Sequence, residues 1–443
     1  MSLHRRITRI SYLVFVSGLG VLVALALVYT VASAGHEQTA VASASPGIID
    51  IWGGMEQFIA LRADGTVWTW GFNDYGVLGN GLGVTMFYTG TEADELVPFQ
   101  VLGANGVGHL TSIVGIAGGE RYNAALDKNG EVWTWGWNYA GILGLGTLCP
   151  DSNAPACMGT TPAKIPNFTS VKAIAARGYH TLALKNDGTV WAWGYNDSGR
   201  LGDGTNIDRN SPVPVIGLTN TVHGGVIAIS GGGQFNIALM ADHTLMGWGE
   251  NSEGAVGNGV FTAGQYTPTA VSQSTGLTNI QAIATGWVHA VALAADGTVW
   301  TWGDGGGGEL GDGTTTNRNL PYHVTTITDV VGVSAGDGYT IVLKRDGTVW
   351  AWGGNYFGQL GNGITSTLPT TIPVQVIGLS NVTLVRGRNF NSLAIKSDGT
   401  VWAWGDNSRG IGDGTRGEHR TTPVRVLFPD FLTRVLFLPI IMR

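Results

Sequence analysis

Charge and cysteine are what this chain has least of. Only 12% of its 443 residues are charged, about half the usual share of roughly 25%. Low charge beside 44% hydrophobic residues excludes an intrinsically disordered chain, which needs the opposite balance. Two cysteines are too few for a disulfide-stapled scaffold. Glycine is abundant but follows no three-residue period, which excludes collagen. Helix-breaking glycine at this level also speaks against a helical bundle, since each one costs about 1 kcal/mol in a helix relative to alanine. Signatures of catalysis are missing too. The sequence holds no HExxH, no EF-hand loop, and no G-x-S-x-G in a strand–turn–helix setting. Its Gly-x-Gly patterns sit in β-turns rather than between a strand and a helix, so they are turn chemistry and not phosphate loops.

Long apolar runs are confined to the N-terminus. Arg5, Arg6 and Arg9 precede an apolar stretch from Tyr12 to Val31, and Ala32-Ser33-Ala34 or Ala42-Ser43-Ala44 offers a small-residue cleavage site. That is the layout of a secretory signal peptide. The stretch also approaches the length that spans a bilayer, so an uncleaved anchor helix is the alternative. Both readings export everything that follows. The expected division is a signal or anchor at 1–34, a linker at 35–47, a repeat domain at 48–428 and an apolar tail at 429–443. Without residues 1–34 the chain keeps 21 basic and 31 acidic side chains, a net charge of −10. That balance is a poor match for nucleic acid, which needs a basic footprint. It also lacks a polybasic patch for anionic lipid.

What is present is repetition. There are 70 glycines and 16 tryptophans, and both excesses trace to one recurring phrase. It reads DGTVWTWG from Asp64, NGEVWTWG from Asn129, DGTVWAWG from Asp187 and DHTLMGWG from Asp242, then DGTVWTWG from Asp296 and DGTVWAWG from Asp346 and Asp398. The closing glycines are 50 to 65 residues apart. Each unit has a short apolar strand such as 171–175, a second strand such as 181–184, an Asp-Gly hairpin signal, and the tryptophan strand. A glycine-rich turn and a Pro-Val segment suited to a sheet edge complete it. Four strands per unit, repeated seven times, predict an all-β chain forming a seven-bladed β-propeller, with tryptophans packed between blades.

These phrases, with the turns GVLGNG from Gly76, GILGLG from Gly141, GRLGDG from Gly199, GAVGNG from Gly254, GELGDG from Gly308 and GQLGNG from Gly358, resemble the RCC1 repeat family. The seventh turn, Gly410-Ile411-Gly412-Asp413-Gly414, is one residue short. The family's Gly-x-x-His is complete only from Gly286 to His289; the other histidine slots hold Gln57, Tyr122, His180, Phe235, Tyr339 and Asn391. The resemblance implies the propeller fold. The family's best-known activity, nucleotide exchange on a nuclear GTPase, does not suit an exported chain with no strongly basic tail. A secreted β-lactamase-inhibitory propeller of the same type is a nearer analogue.

Function is expected in the loop after each Trp-Gly, because equivalent loops of a propeller gather on one face. Phe72, Tyr75, Trp137, Tyr139, Tyr195, Tyr356 and Phe357 are the expected partner-binding arc, with Glu250, Asp304 and Asp406 as an acidic sector. Large rigid aromatics are the residue type enriched at binding hot spots. Insertions at about 82–96 and 145–162 are further candidates, since long loops in compact folds are often functional. Cys149 and Cys157 are expected to form a disulfide in an exported protein. His180 and His289 read as buried structural histidines, and Asp203, Asp312 and Asp413 as turn formers rather than calcium ligands. The expected function is thus an exported, monomeric, non-catalytic scaffold for a macromolecular partner, with no cofactor and no metal. A secreted enzyme inhibitor is the alternative. An enzyme acting on a polysaccharide is a third reading, and it requires carboxylates or a His–acid pair converging on the propeller axis.

Overall fold

The computed structural model describes residues 47–429 apart from 56, 83–93, 148, 150–156 and 219–222. The expected signal or anchor helix at 1–34 and the tail from 430 onward lie outside the described residues. Among the described residues there is no α-helix, and none long and apolar enough to cross a membrane.

Seven four-stranded antiparallel sheets form, each a simple meander in chain order. Blade 1 runs from Ile48–Gly53 to Glu95–Gln100, blade 2 from Ile113–Gly118 to Met158–Lys164, and blade 3 from Val171–Arg177 to Arg209–Pro214. Blade 4 runs from Val226–Gly231 to Thr262–Ala270, and blade 5 from Ile280–Thr285 to Arg318–His323. Blade 6 spans Val330–Ala335 to Ser366–Gln375, and blade 7 spans Val382–Arg388 to Arg420–Arg425. The innermost strands neighbour one another in order, and the first strand of blade 1 closes against blade 7. This is the predicted propeller.

The repeated phrase accounts for the local structure. In blade 3 the Asp187 carboxylate accepts from the Thr189 amide at 2.9 Å and from its hydroxyl at 2.7 Å. Gly188 closes the hairpin at φ +84°, a left-handed conformation that glycine adopts without a Cβ clash. The two tryptophans that follow divide the work. Trp70, Trp135, Trp193, Trp248, Trp302, Trp352 and Trp404 are each 0% exposed. Burying 150–250 Å² of ring contributes roughly 4–6 kcal/mol gross at about 25 cal/mol per Å². In five blades the tryptophan two residues earlier is less buried and carries a cation on its ring, as Lys185 does over Trp191 at 4.6 Å; Trp300 stacks on His323 instead, and blade 4 has Met246 there.

Six of the buried tryptophans also latch their blade to the one before it. Trp193 donates its indole N–H to the Ile142 carbonyl at 3.0 Å, Trp248 to Arg200 at 3.1 Å, and Trp302 to Ala255 at 2.9 Å. Each acceptor is the variable residue of a Gly-x-Leu-Gly turn, or Gly-x-Val-Gly for Ala255. Trp135, Trp352 and Trp404 do the same with Val77, Glu309 and Gln359. At the closing joint the turn is the shortened Gly410-Ile411-Gly412, and the buried Trp70 indole nitrogen finds no acceptor among the described residues. Loss of one turn residue removes the carbonyl that serves the other six. Instead, Arg386 pairs with Asp50 at 2.8 Å across this joint.

Candidate functional site

In each meander the connections after the first and third strands emerge at the same end of the blade. One face of the propeller therefore carries two loops per blade: the inner Gly-x-x-His connection and the outer loop after Trp-Gly. The outer loop is held by a buried asparagine. Asn138, for example, accepts from the Leu143 amide at 3.1 Å, and Asn196 from Leu201 at 2.9 Å. With its backbone fixed this way, each loop is free to vary in the side chains it presents.

On blades 1 to 3 these side chains are aromatic and touch. Tyr75 lies 5.0 Å from Trp137, and Trp137 stacks on Tyr139 at 4.9 Å with 17° between planes. Tyr139 reaches Tyr195 at 5.9 Å. Tyr179, from the inner loop of blade 3, makes edge contacts with Trp137 and Tyr139 at 6.1 Å each and with Tyr195 at 6.4 Å. Arg121 donates to the Tyr75 hydroxyl at 2.9 Å and lies over the Trp137 ring at 5.6 Å. Arg200 covers Tyr195 at 4.8 Å. All five rings are partly exposed. Burial raises the Tyr179 and Tyr195 phenol pKa values, so both act as neutral hydroxyls.

The predicted arc is not continuous. Phe72 is buried, with Arg409 over its ring at 4.8 Å, so it supports the loop instead of presenting a surface. Tyr356 is 55% exposed. Phe357 packs on Phe390 at 4.6 Å and on His419 at 5.0 Å, forming a second, smaller patch. Tyr179, Arg121 and Phe390 escaped the sequence reading because it followed one loop per blade, and Arg200 because its turn was read only as scaffold. Strand parity alone places the Gly-x-x-His connection on the same face.

The acidic residues of this face mostly cap their own loops. Glu250 accepts from the Ser198 hydroxyl at 2.6 Å and the Ser252 amide at 2.9 Å, and Asp304 accepts from the Gly306 amide at 2.9 Å. Glu309 is buried beside Asp304, and burial first, then that neighbouring charge, pushes its pKa up to about 8. Asp203, Asp312 and Asp413 bind Thr205, Thr314 and Thr415 through their own turns, as turn formers do. No three of the described His, Cys, Asp or Glu side chains group as a metal site.

Both slot histidines are structural. His180 is hydrogen-bonded to Asn236 at 2.7 Å and His289 to Thr340 at 3.1 Å, each reaching the next blade. Burial lowers both pKa values to about 3. Cys149 and Cys157 form the expected disulfide, with Cα atoms 5.5 Å apart. Of the two insertions, 83–93 and 150–156 lie outside the described residues.

Carboxylates do converge on the axis. Glu120 and Asp337, from the inner connections of blades 2 and 6, gather around Arg177 and Arg388, the two arginines that line the axial cavity. Arg177 is 2.8 Å from Asp337. Burial raises the Glu120 pKa, which the charge of Arg388 lowers and that of Asp337 raises. Below them lies a cavity of about 190 Å³ lined by all seven inner strands.

The RCC1-like domain profile matches residues 161–436, and the regulator of chromosome condensation (RCC1) repeat matches 64–126 and 129–184. The ultraviolet-B receptor UVR8 of Arabidopsis thaliana is 30% identical over 263 residues, covering 59% of this chain and 54% of the receptor. The match therefore spans about half the receptor's length. Yeast RCC1 (Prp20), solved with Kap60, superposes with a TM-score of 0.70 at 20% identity, over 91% of this chain and 92% of the other. Prp20p from Saccharomyces cerevisiae, described with its binding to Gsp1p and histones, gives 0.66 at 20% identity over 85% and 89%. At these identities the likeness concerns the fold.

Proposed function

The chain belongs to the RCC1-like domain family, and from that premise we propose that it is an exported, non-catalytic scaffold that binds a macromolecular partner through blades 1 to 3. The observation that carries this reading is the run of touching rings from Tyr75 through Trp137, Tyr139 and Tyr179 to Tyr195. A monomer rarely leaves such a surface half-covered without use. Aromatics backed by arginine are the side chains that dominate binding energy at protein interfaces. Yeast Prp20p, of the same fold, binds proteins, which agrees with a protein as partner. Export rests on the basic, then apolar N-terminal segment and fits the disulfide of blade 2, since such bonds persist in oxidising compartments. The net charge left after residue 34 favours a protein over a nucleic acid.

The test is affinity capture from the organism's own extracellular fraction with the mature chain as bait. A variant carrying Trp137→Ala, Tyr139→Ala and Tyr195→Ala serves as control. A specific partner held by the native chain and lost with the variant supports the reading. Equal recovery by both baits overturns the choice of surface.

The carboxylates at the axis are the observation that favours the polysaccharide-acting alternative. Asp337 is engaged by Arg177, and Glu120 is buried facing Arg388. Asp337 is held in an ion pair and Glu120 lies in the field of Arg388 and Arg177, so charge compensation describes the quartet better than proton transfer. Cleavage of an acidic polysaccharide that disappears in Glu120→Gln would reverse this judgement.

A further inference from the structure

Two repeat glycines are replaced by arginine, and both replacements point at the axis. The first position of the Gly-x-x-His connection is Gly54, Gly119, Gly232, Gly286 and Gly336 in five blades. A Cβ there would collide with the slot residue of the same blade, at 2.1 Å from His289 in the case of Gly286. In blades 3 and 7 the position holds Arg177 and Arg388. Both are almost fully buried, at 3% and 1% exposure, and both line the axial cavity.

Their bonding differs. Arg177 donates to the Thr285 and Ala335 carbonyls at 2.7 and 2.8 Å and pairs with Asp337. Among the described residues, Arg388 has no hydrogen-bond partner at Nε, Nη1 or Nη2. A buried guanidinium with all three nitrogens unmatched is costly to leave empty-handed. Burial lowers its pKa to about 10, so at neutral pH it remains a cation. The planar fork of an arginine matches two oxygens of a carboxylate or phosphate. The adjoining cavity, about 190 Å³, has room for one such group with a few waters. Glu120 faces the same guanidinium without bonding it directly, and one of its oxygens is also unmatched.

We propose that the axial cavity is a binding site for a small oxyanion, of the carboxylate or phosphate type, gripped by Arg388 opposite Arg177. The cavity is lined by the inner strands and not by the aromatic rings, although the charge of Glu120 also reaches Tyr179 at the edge of the aromatic surface. Glu120 opposes the anion and sets its affinity.

The experiment is calorimetric titration of the full chain with inorganic phosphate and with malonate, against chloride at matched ionic strength. One-site, saturable binding of phosphate or of malonate is expected, and the anion that binds identifies the class. Arg388→Leu should weaken binding at least tenfold. Glu120→Gln should tighten it severalfold, because it removes a facing negative charge while keeping the shape. The Glu120→Gln variant decides the matter if Arg388→Leu does not fold. Phosphate and malonate behaving like chloride, or affinity unmoved by Glu120→Gln, would overturn the proposal.

Discussion

Blades 1 to 3 and blades 4 and 5 are built alike and present different chemistry on the same face. In both regions a buried tryptophan latches onto the preceding blade, at 3.0 Å for Trp193 and 2.9 Å for Trp302. In both a carboxylate caps the hairpin, as Asp187 and Asp296 do at 2.7 Å. The position after Trp-Gly holds Phe72, Trp137 and Tyr195 in the first region, but Glu250 and Asp304 in the second. The first region forms a contiguous aromatic surface; the second uses its carboxylates to tie down its own loops. The lesson is that scaffold and surface are written at different positions of one repeat and can change independently.

The largest expected effect tests the shared half of that comparison. Trp193→Ala and Trp302→Ala should each destabilise the fold by about 3–5 kcal/mol, the usual loss for a buried tryptophan, read by denaturant unfolding. A loss confined to one of them would mean that the blades are not equivalent. Next comes the half that differs. The triple variant of Trp137, Tyr139 and Tyr195 should weaken partner binding at least 100-fold, about 2.7 kcal/mol, with thermal unfolding nearly unmoved. Glu250→Ala with Asp304→Ala should change affinity by less than about threefold, within roughly 0.7 kcal/mol. Comparable losses from both variants would erase the distinction.

A smaller effect, per unit of pH, again concerns the scaffold. The folded-state pKa values of His180 and His289 lie at about 3, below the ordinary 6.5. The unfolded chain therefore takes up more protons in between, so stability is full above pH 6.5 and falls as pH drops toward 3. Each histidine should contribute a slope of about 1.4 kcal/mol per pH unit in that window. Blade 1 already carries Gln57 in this slot, bonded to the Gly119 carbonyl at 3.1 Å. His180→Gln with His289→Gln should therefore flatten the acid limb in melting curves from pH 4 to 7. An unchanged slope would assign acid sensitivity elsewhere.

The fold was legible in the sequence because a period of seven phrases is hard to satisfy in any other architecture. The turn aspartates were legible from their place in the same repeat, and the disulfide from two cysteines in a chain expected to be exported. The surface was read only in part. Phe72 looked like its neighbours in sequence, but Arg409 from blade 7 covers it, a contact made only when the ring closes. Tyr179 and Phe390 lie in the inner connections, which pattern reading passed over as mere histidine slots. The axial charges were hidden most deeply. Arg177 and Arg388 are separated by more than two hundred residues of chain, and only the circular arrangement brings both to the same cavity.

The central claim, that the aromatic surface of blades 1 to 3 is where a partner binds, is tested most directly by hydrogen exchange on the complex. The account predicts slowed exchange in the loops around Tyr75, Arg121, Trp137–Tyr139, Tyr179 and Tyr195, with blades 4 and 5 unaffected. Protection at the Asp-Gly hairpins on the opposite face, or spread evenly over all seven blades, would contradict it.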